Sequence, residues 1–184
     1  MNKYKGRYCL LWSNNNLRLN IRKVYRYLPT QSSLLLLSDG SFTKVLDSIV
    51  SQVTNTQIVN QRDTQSLYYN QEVIVNNINL KYRNKWLISK TGQKLLFATS
   101  LYKSIILEDL QLEIVTPIGK VLINSELNLY RNLYRISCFC SKWFEQKFGL
   151  QGYVWSRRYT LYHKHLPIIF VQEFFSPNLN KYSI

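Results

Sequence analysis

The chain has 184 residues, 46% of them hydrophobic and 14% aromatic, which suits one globular domain with a real core and excludes a disordered chain. No apolar run approaches the roughly 18 residues that a bilayer span needs, and the basic start lacks the apolar centre of a signal peptide. With 24 Lys and Arg against 10 Asp and Glu the formal charge is +14, so the expected partners are anions: nucleic acid, acidic membrane or an anionic metabolite. The bases come in ones and twos, without the dense tract of a nucleic-acid tail. Ala98 is the only alanine while Asn, Lys, Ile and Tyr abound, a bias that suggests an AT-rich genome and makes part of the lysine excess mutational.

Residues 1–30 mix bases, Asn14-Asn15-Asn16 and aromatics, and Pro29 closes them; they read as a loosely attached basic arm before a domain over 31–180. Gln31 to Leu37 is a candidate short helix ended by Asp39-Gly40. From Ser41, the positions Phe42, Val45, Leu46, Ile49 and Val50 recur at helical spacing. From Thr56 the signal turns to strands, with Lys90-Thr91-Gly92-Gln93 as a hairpin loop. In the run through Ile88, Leu80, Tyr82, Trp86 and Ile88 share one parity; Lys81, Arg83 and Lys85 share the other, which by pattern alone is a solvated face. Ser104 to Leu112 fits a capped helix, and Thr116-Pro117-Ile118-Gly119-Lys120 a tight helix entry. LYRNLYRISCFC then reads as a strand and SKWFEQKFG as a short helical piece or loop. Hairpins without βαβ alternation indicate an α+β domain on an antiparallel sheet.

The last long stretch, Gly152 to Pro177, is two β-rich runs around His163-Lys164-His165, a hairpin. In its second strand Ile169, Val171, Glu173 and Phe175 share a face. A carboxylate in an apolar row must be paired, solvated or protonated. Its pairing partner would be Arg157 or Arg158 across the hairpin. Cys138 and Cys140 flank Phe139 in a strand-like run, so with Cys9 they read as reduced thiols. Two His without CxxC give no zinc site. GxGxxG, GxxxxGK[ST], GxSxG and HExxH are all missing from the sequence. What remains is one buried-looking carboxylate, several strand arginines and a basic exterior, a set suited to a small polyanion.

Four motifs in chain order, SLLLLSDGSFTKVL, RNKWLISKTGQKLLFATS, TPIGK and WSRRYTLYHKHLPIIFVQEFFSP, resemble the chorismate pyruvate-lyase family, including its uncharacterised members encoded in algal plastids, from about Leu34 to Leu179. The resemblance implies a six-stranded antiparallel sheet with short helices forming flaps over a ligand cavity. It implies cofactor-free cleavage of the dianion chorismate to 4-hydroxybenzoate and pyruvate, with quinone biosynthesis as the setting, by a soluble, plastid-encoded monomer. The family's carboxylate-binding arginine falls on Arg83 and its acid on Glu173, with backbone contacts near Phe42 and Ile118. In that scheme Glu173, its pKa raised by burial, donates a hydrogen bond or proton toward the ether oxygen. A bulge near Asn84 would reconcile Arg83 with the parity count. Lys85 departs from the family, which has an apolar residue there. Two other functions are weighed: a non-enzymatic small-carboxylate binder or sensor of the same fold, and a basic RNA- or ribosome-associated protein.

Overall fold

The computed structural model describes residues 8–14, 30–38, 42–64, 68–69, 72–73, 80–103 and 129–181. The expected helix 104–112, the Thr116–Lys120 element and Ile118 lie outside these.

The strands are β1 (Tyr8–Asn14), β2 (Asn55–Thr64), the two-residue pair β3 (Tyr68–Tyr69) and β4 (Glu72–Val73), β5 (Leu80–Ile88), β6 (Lys94–Lys103), β7 (Leu129–Ser141), β8 (Val154–His163) and β9 (Leu166–Phe175). The helices are α1 (Thr30–Leu37), α2 (Phe42–Ile49) and α3 (Lys142–Phe148), and a 3-10 turn spans Pro177–Lys181. The main sheet is antiparallel with order β1-β7-β8-β9-β6-β5-β2. Six of these strands form the expected α+β platform. The seventh, β1, falls within residues 1–30: residues 8–14 pair along the β7 edge.

The β8–β9 hairpin forms where the polar break predicted it. Lys164 and His165 both take positive φ, 47° and 66°, as a two-residue turn joining right-twisted strands requires. Pro167 sits opposite Tyr162, and the register slips there by one residue before Leu161 meets Ile169. Proline has no N–H for the ladder, and a bulge is one of the few places in a sheet that accepts it.

Both faces of the sheet are covered, which the strand pattern did not foresee. One face carries Trp86, Phe97, Phe139, Phe174 and Val154 under α3, whose Phe144 and Phe148 are buried. Ser141 caps the start of α3, and Gly149 at φ 70° closes its end. The other face packs Leu87, Leu96, Ala98, Ile136 and Phe175 against Leu35 and Leu36 of α1 and Leu46 of α2. Asp47 Oδ1 accepts from the backbone N–H and hydroxyl of Thr54 at 2.8 and 2.7 Å, tying the end of α2 to the entrance of β2.

Arg83 and Lys85 lie on this helix-covered face and are 2% and 8% exposed, so the solvated face expected for them is corrected. Period-2 reading assigns one face to water whenever the other is apolar, and a sheet sandwiched on both sides breaks that inference. No bulge is needed in β5, whose register with β6 is regular from Leu80 to Leu87. The irregularity is in β2, between Ile58 and Asn60, opposite Lys85 and Asn84.

Candidate functional site

Directly paired residues of antiparallel strands put their side chains on one face. Glu173 of β9 pairs with Ala98 of β6, and Ala98 with Lys85 of β5; in the next row Val171 pairs with Ser100, and Ser100 with Arg83. On the other side Glu173 pairs with Arg157 of β8. Thus Arg83, Lys85, Glu173 and Arg157 share one face, and in these two rows the strand between β5 and β9 contributes the methyl of Ala98 and the hydroxymethyl of Ser100. With strands about 4.8 Å apart, Lys85 and Glu173 are separated by roughly 10 Å of backbone. The arginine and acid expected to act together are thereby on the same side of the sheet.

Glu173 is 6% exposed and Arg157 1%. Arg157 Nε donates to Glu173 Oε2 at 2.6 Å, and the Tyr159 hydroxyl donates to Oε1 at 3.0 Å. Arg157 Nη1 also donates to the carbonyls of Leu35, Leu36 and Ser38 at 2.9, 3.3 and 3.2 Å. A helix leaves its last carbonyls without internal partners, and they carry the negative end of its dipole, so a guanidinium suits the end of α1. Arg131 adds a bond to Ser38 O at 3.0 Å and places its guanidinium 4.4 Å from the Tyr159 ring centre.

Burial alone would push the Glu173 carboxyl up; the charges of Arg157 and Arg131, with the bonds from Arg157 and Tyr159, outweigh it and hold the group below the ordinary range. Glu173 is therefore a carboxylate, and the expectation of a raised pKa and a proton-donating acid is corrected. The same burial, followed by the field of Glu173, raises the Tyr159 phenol. On the opposite side, burial pulls the Arg83 guanidinium down, and its centre lies 5.7 Å from the Tyr102 ring. Lys85 is pushed down to about 7, by burial first and by Arg83 next, with Glu173 opposing.

Of the residues singled out in the sequence, Arg83 and Glu173 meet on this face. Phe42 opens α2, but its side chain, like all of Ile118, lies outside the described residues. Arg157 was one of two partners offered for Glu173, and the bulge at Pro167 decides between them. Lys85, Arg131 and Tyr159 were missed as site residues; the signal for the last two was alternation with apolar neighbours, Tyr159 in the strand paired to the acid's and Arg131 in the next strand out. Cys138 and Cys140 are free thiols, the former raised to about 11 by burial first and Cys140 next, so Cys138 is not an activated nucleophile. A concavity of about 240 Å³ lies among Leu36, Tyr153, Trp155, Phe175 and Pro177. Its lining holds no charged group, so the ionic cluster and not this recess is the candidate site. No helix among the described residues is long and apolar enough to cross a membrane.

The architecture recurs in solved structures. The effector domain of PhnF from Mycobacterium smegmatis superposes with a TM-score of 0.57 at 9% identity, covering 76% of this chain and 90% of that one. The product SA0254 of Staphylococcus aureus gives 0.56 at 12%, covering 76% and 89%. A GntR-family transcriptional regulator from Enterococcus faecalis gives 0.53 at 9%, covering 70% and 98%. The fold is thus that of GntR-type effector domains. The chain itself belongs to the family described as Chorismate pyruvate-lyase Rv2949c-like, whose model matches residues 36–183. Among curated relatives, the uncharacterised protein ycf21 of Antithamnion sp. is 32% identical over 171 residues, covering 92% of this chain and 88% of that protein. The ycf21 protein of Cyanophora paradoxa is 30% identical over 147 residues, covering 78% and 75%.

Proposed function

We propose that this protein binds chorismate in the space over Ala98 and Ser100 and cleaves it to 4-hydroxybenzoate and pyruvate without a cofactor. The observation that carries the reading is the buried face itself: strand cations on one side, an oriented carboxylate on the other, and small side chains between them. The family description names the same activity. In our reading Arg83 holds the ring carboxylate in a two-bond fork. Glu173, fixed by Arg157 and Tyr159, works as a base and takes the proton from ring carbon 4. Those C–H electrons complete the aromatic ring as the bond from carbon 3 to the ether oxygen breaks. The departing enolpyruvate takes a proton on its methylene carbon and becomes pyruvate, so atoms balance without water. Aromatisation supplies the driving force, leaving positioning and electrostatics to the protein. Kinship with algal ycf21 proteins supports a plastid-encoded origin.

The test is purified protein with chorismate, following both products, for wild type, Arg83→Gln and Glu173→Gln. Each variant should lose about a hundred-fold or more in rate. Equal turnover in all three proteins would remove the site assignment. A second reading, a carboxylate sensor, draws on the effector-domain fold; it predicts Arg83-dependent binding of 4-hydroxybenzoate with no turnover.

A further inference from the structure

Lys85 is a buried lysine whose ammonium makes no hydrogen bond or ion pair among the described residues. Taking such a group out of water costs several kcal/mol unless something pairs with it. The nearest anion on its face, Glu173, is already engaged by Arg157 and Tyr159. Arg83 lies two residues away on the same face of the same strand, about 7 Å along β5. Two cations at that spacing on one wall, over a floor of Ala98 and Ser100, fit a ligand with two carboxylates better than a ligand with one.

We propose that Lys85 is a specificity-determining residue: its ammonium binds the second, enolpyruvyl carboxylate of the substrate while Arg83 holds the first. This rests on the chorismate reading and names how the site tells substrate from product. Chorismate carries one carboxylate on ring carbon 1 and the other on the enolpyruvyl ether joined to ring carbon 3, and 4-hydroxybenzoate retains only the first. Lys85 therefore grips what is cleaved off, faces the enolate charge that grows as the C–O bond breaks, and has no hold on the aromatic product. Burial first and the charge of Arg83 next pull this ammonium down to about 7, which a bound carboxylate would oppose.

Calorimetric titration of wild type, Lys85→Met and Lys85→Arg with chorismate, and separately with 4-hydroxybenzoate, tests this; any turnover gives KM and kcat in the same cell. Lys85→Met should weaken chorismate (Kd or KM) about ten-fold or more, with 4-hydroxybenzoate changed less than about two-fold. Lys85→Arg, which keeps the charge, should recover most of the loss and also guards against a misfolded methionine variant. Unchanged chorismate affinity in Lys85→Met, or equal weakening of both ligands, overturns the assignment of Lys85 and leaves the chorismate reading standing. Wild-type protein that binds neither compound overturns the chorismate reading and this inference with it.

Discussion

Replacing Arg157 by methionine keeps an unbranched chain in the core and deletes the guanidinium that touches Glu173 and α1. Two losses add. Glu173, 6% exposed, is left as a buried carboxylate without its main counter-charge, a defect that typically costs about 3–5 kcal/mol. The carbonyls of Leu35, Leu36 and Ser38 lose their donor, of which Arg131 still supplies one bond to Ser38, so roughly 1–2 kcal/mol more is at stake. A total near 5 kcal/mol is comparable with the whole stability of many domains. Urea unfolding at pH 7.5 should show it, and adding Glu173→Gln should restore about 2 kcal/mol or more, because the stranded charge is removed. The sign with pH is fixed. In wild type the lowered carboxyl contributes stability above the ordinary glutamate range and loses it as pH falls through the folded value. The gap between wild type and Arg157→Met must therefore narrow on acidification. A cost below 1 kcal/mol, or a double variant as weak as the sum of the singles, would refute the pairing as the element that holds this face together.

Lys85 predicts a slope of the same sign in a more alkaline window. Its folded value near 7 lies below the unfolded 10.5, so the unfolded chain binds the extra proton between those values and stability should rise with pH across that window. Lys85→Met should flatten the rise and raise Tm at pH 7, read by thermal melts at pH 7 and 9. Phe97→Ala removes a ring that contacts Trp86, Trp143, Phe144 and Phe174 at centroid distances of 4.6, 5.6, 6.0 and 6.0 Å, and should cost about 3–5 kcal/mol in urea unfolding.

The β8–β9 hairpin, α1, α2, the Gly92 loop and α3 were legible because each carries a local signal: a turn residue, a cap or a 3.6-residue period. The face of β5 was not. Trp86 and Ile88 have an aromatic layer to pack on, and nothing in β5 says that Arg83 and Lys85 are buried as well. The partner of Glu173 was legible only to a choice of two. Counting back from Lys164-His165 without a bulge sets Glu173 against Ser156; the slip beside Pro167 brings Arg157 there instead. A one-residue slip changes every pair beyond it, and its position depends on tertiary packing. The charge state of Glu173 was misread because burial was legible, while the convergence of three side chains on it, Arg131 of β7 with Arg157 and Tyr159 of β8, was not.

One guanidinium bridges the acid of the sheet and the tail of the first helix. A guest that draws the Glu173 oxygens toward itself therefore pulls on the fastening of α1, and loosening that fastening frees the acid in turn. Acid and helix end are thus joined chiefly through one side chain, so a disturbance at either is passed to the other.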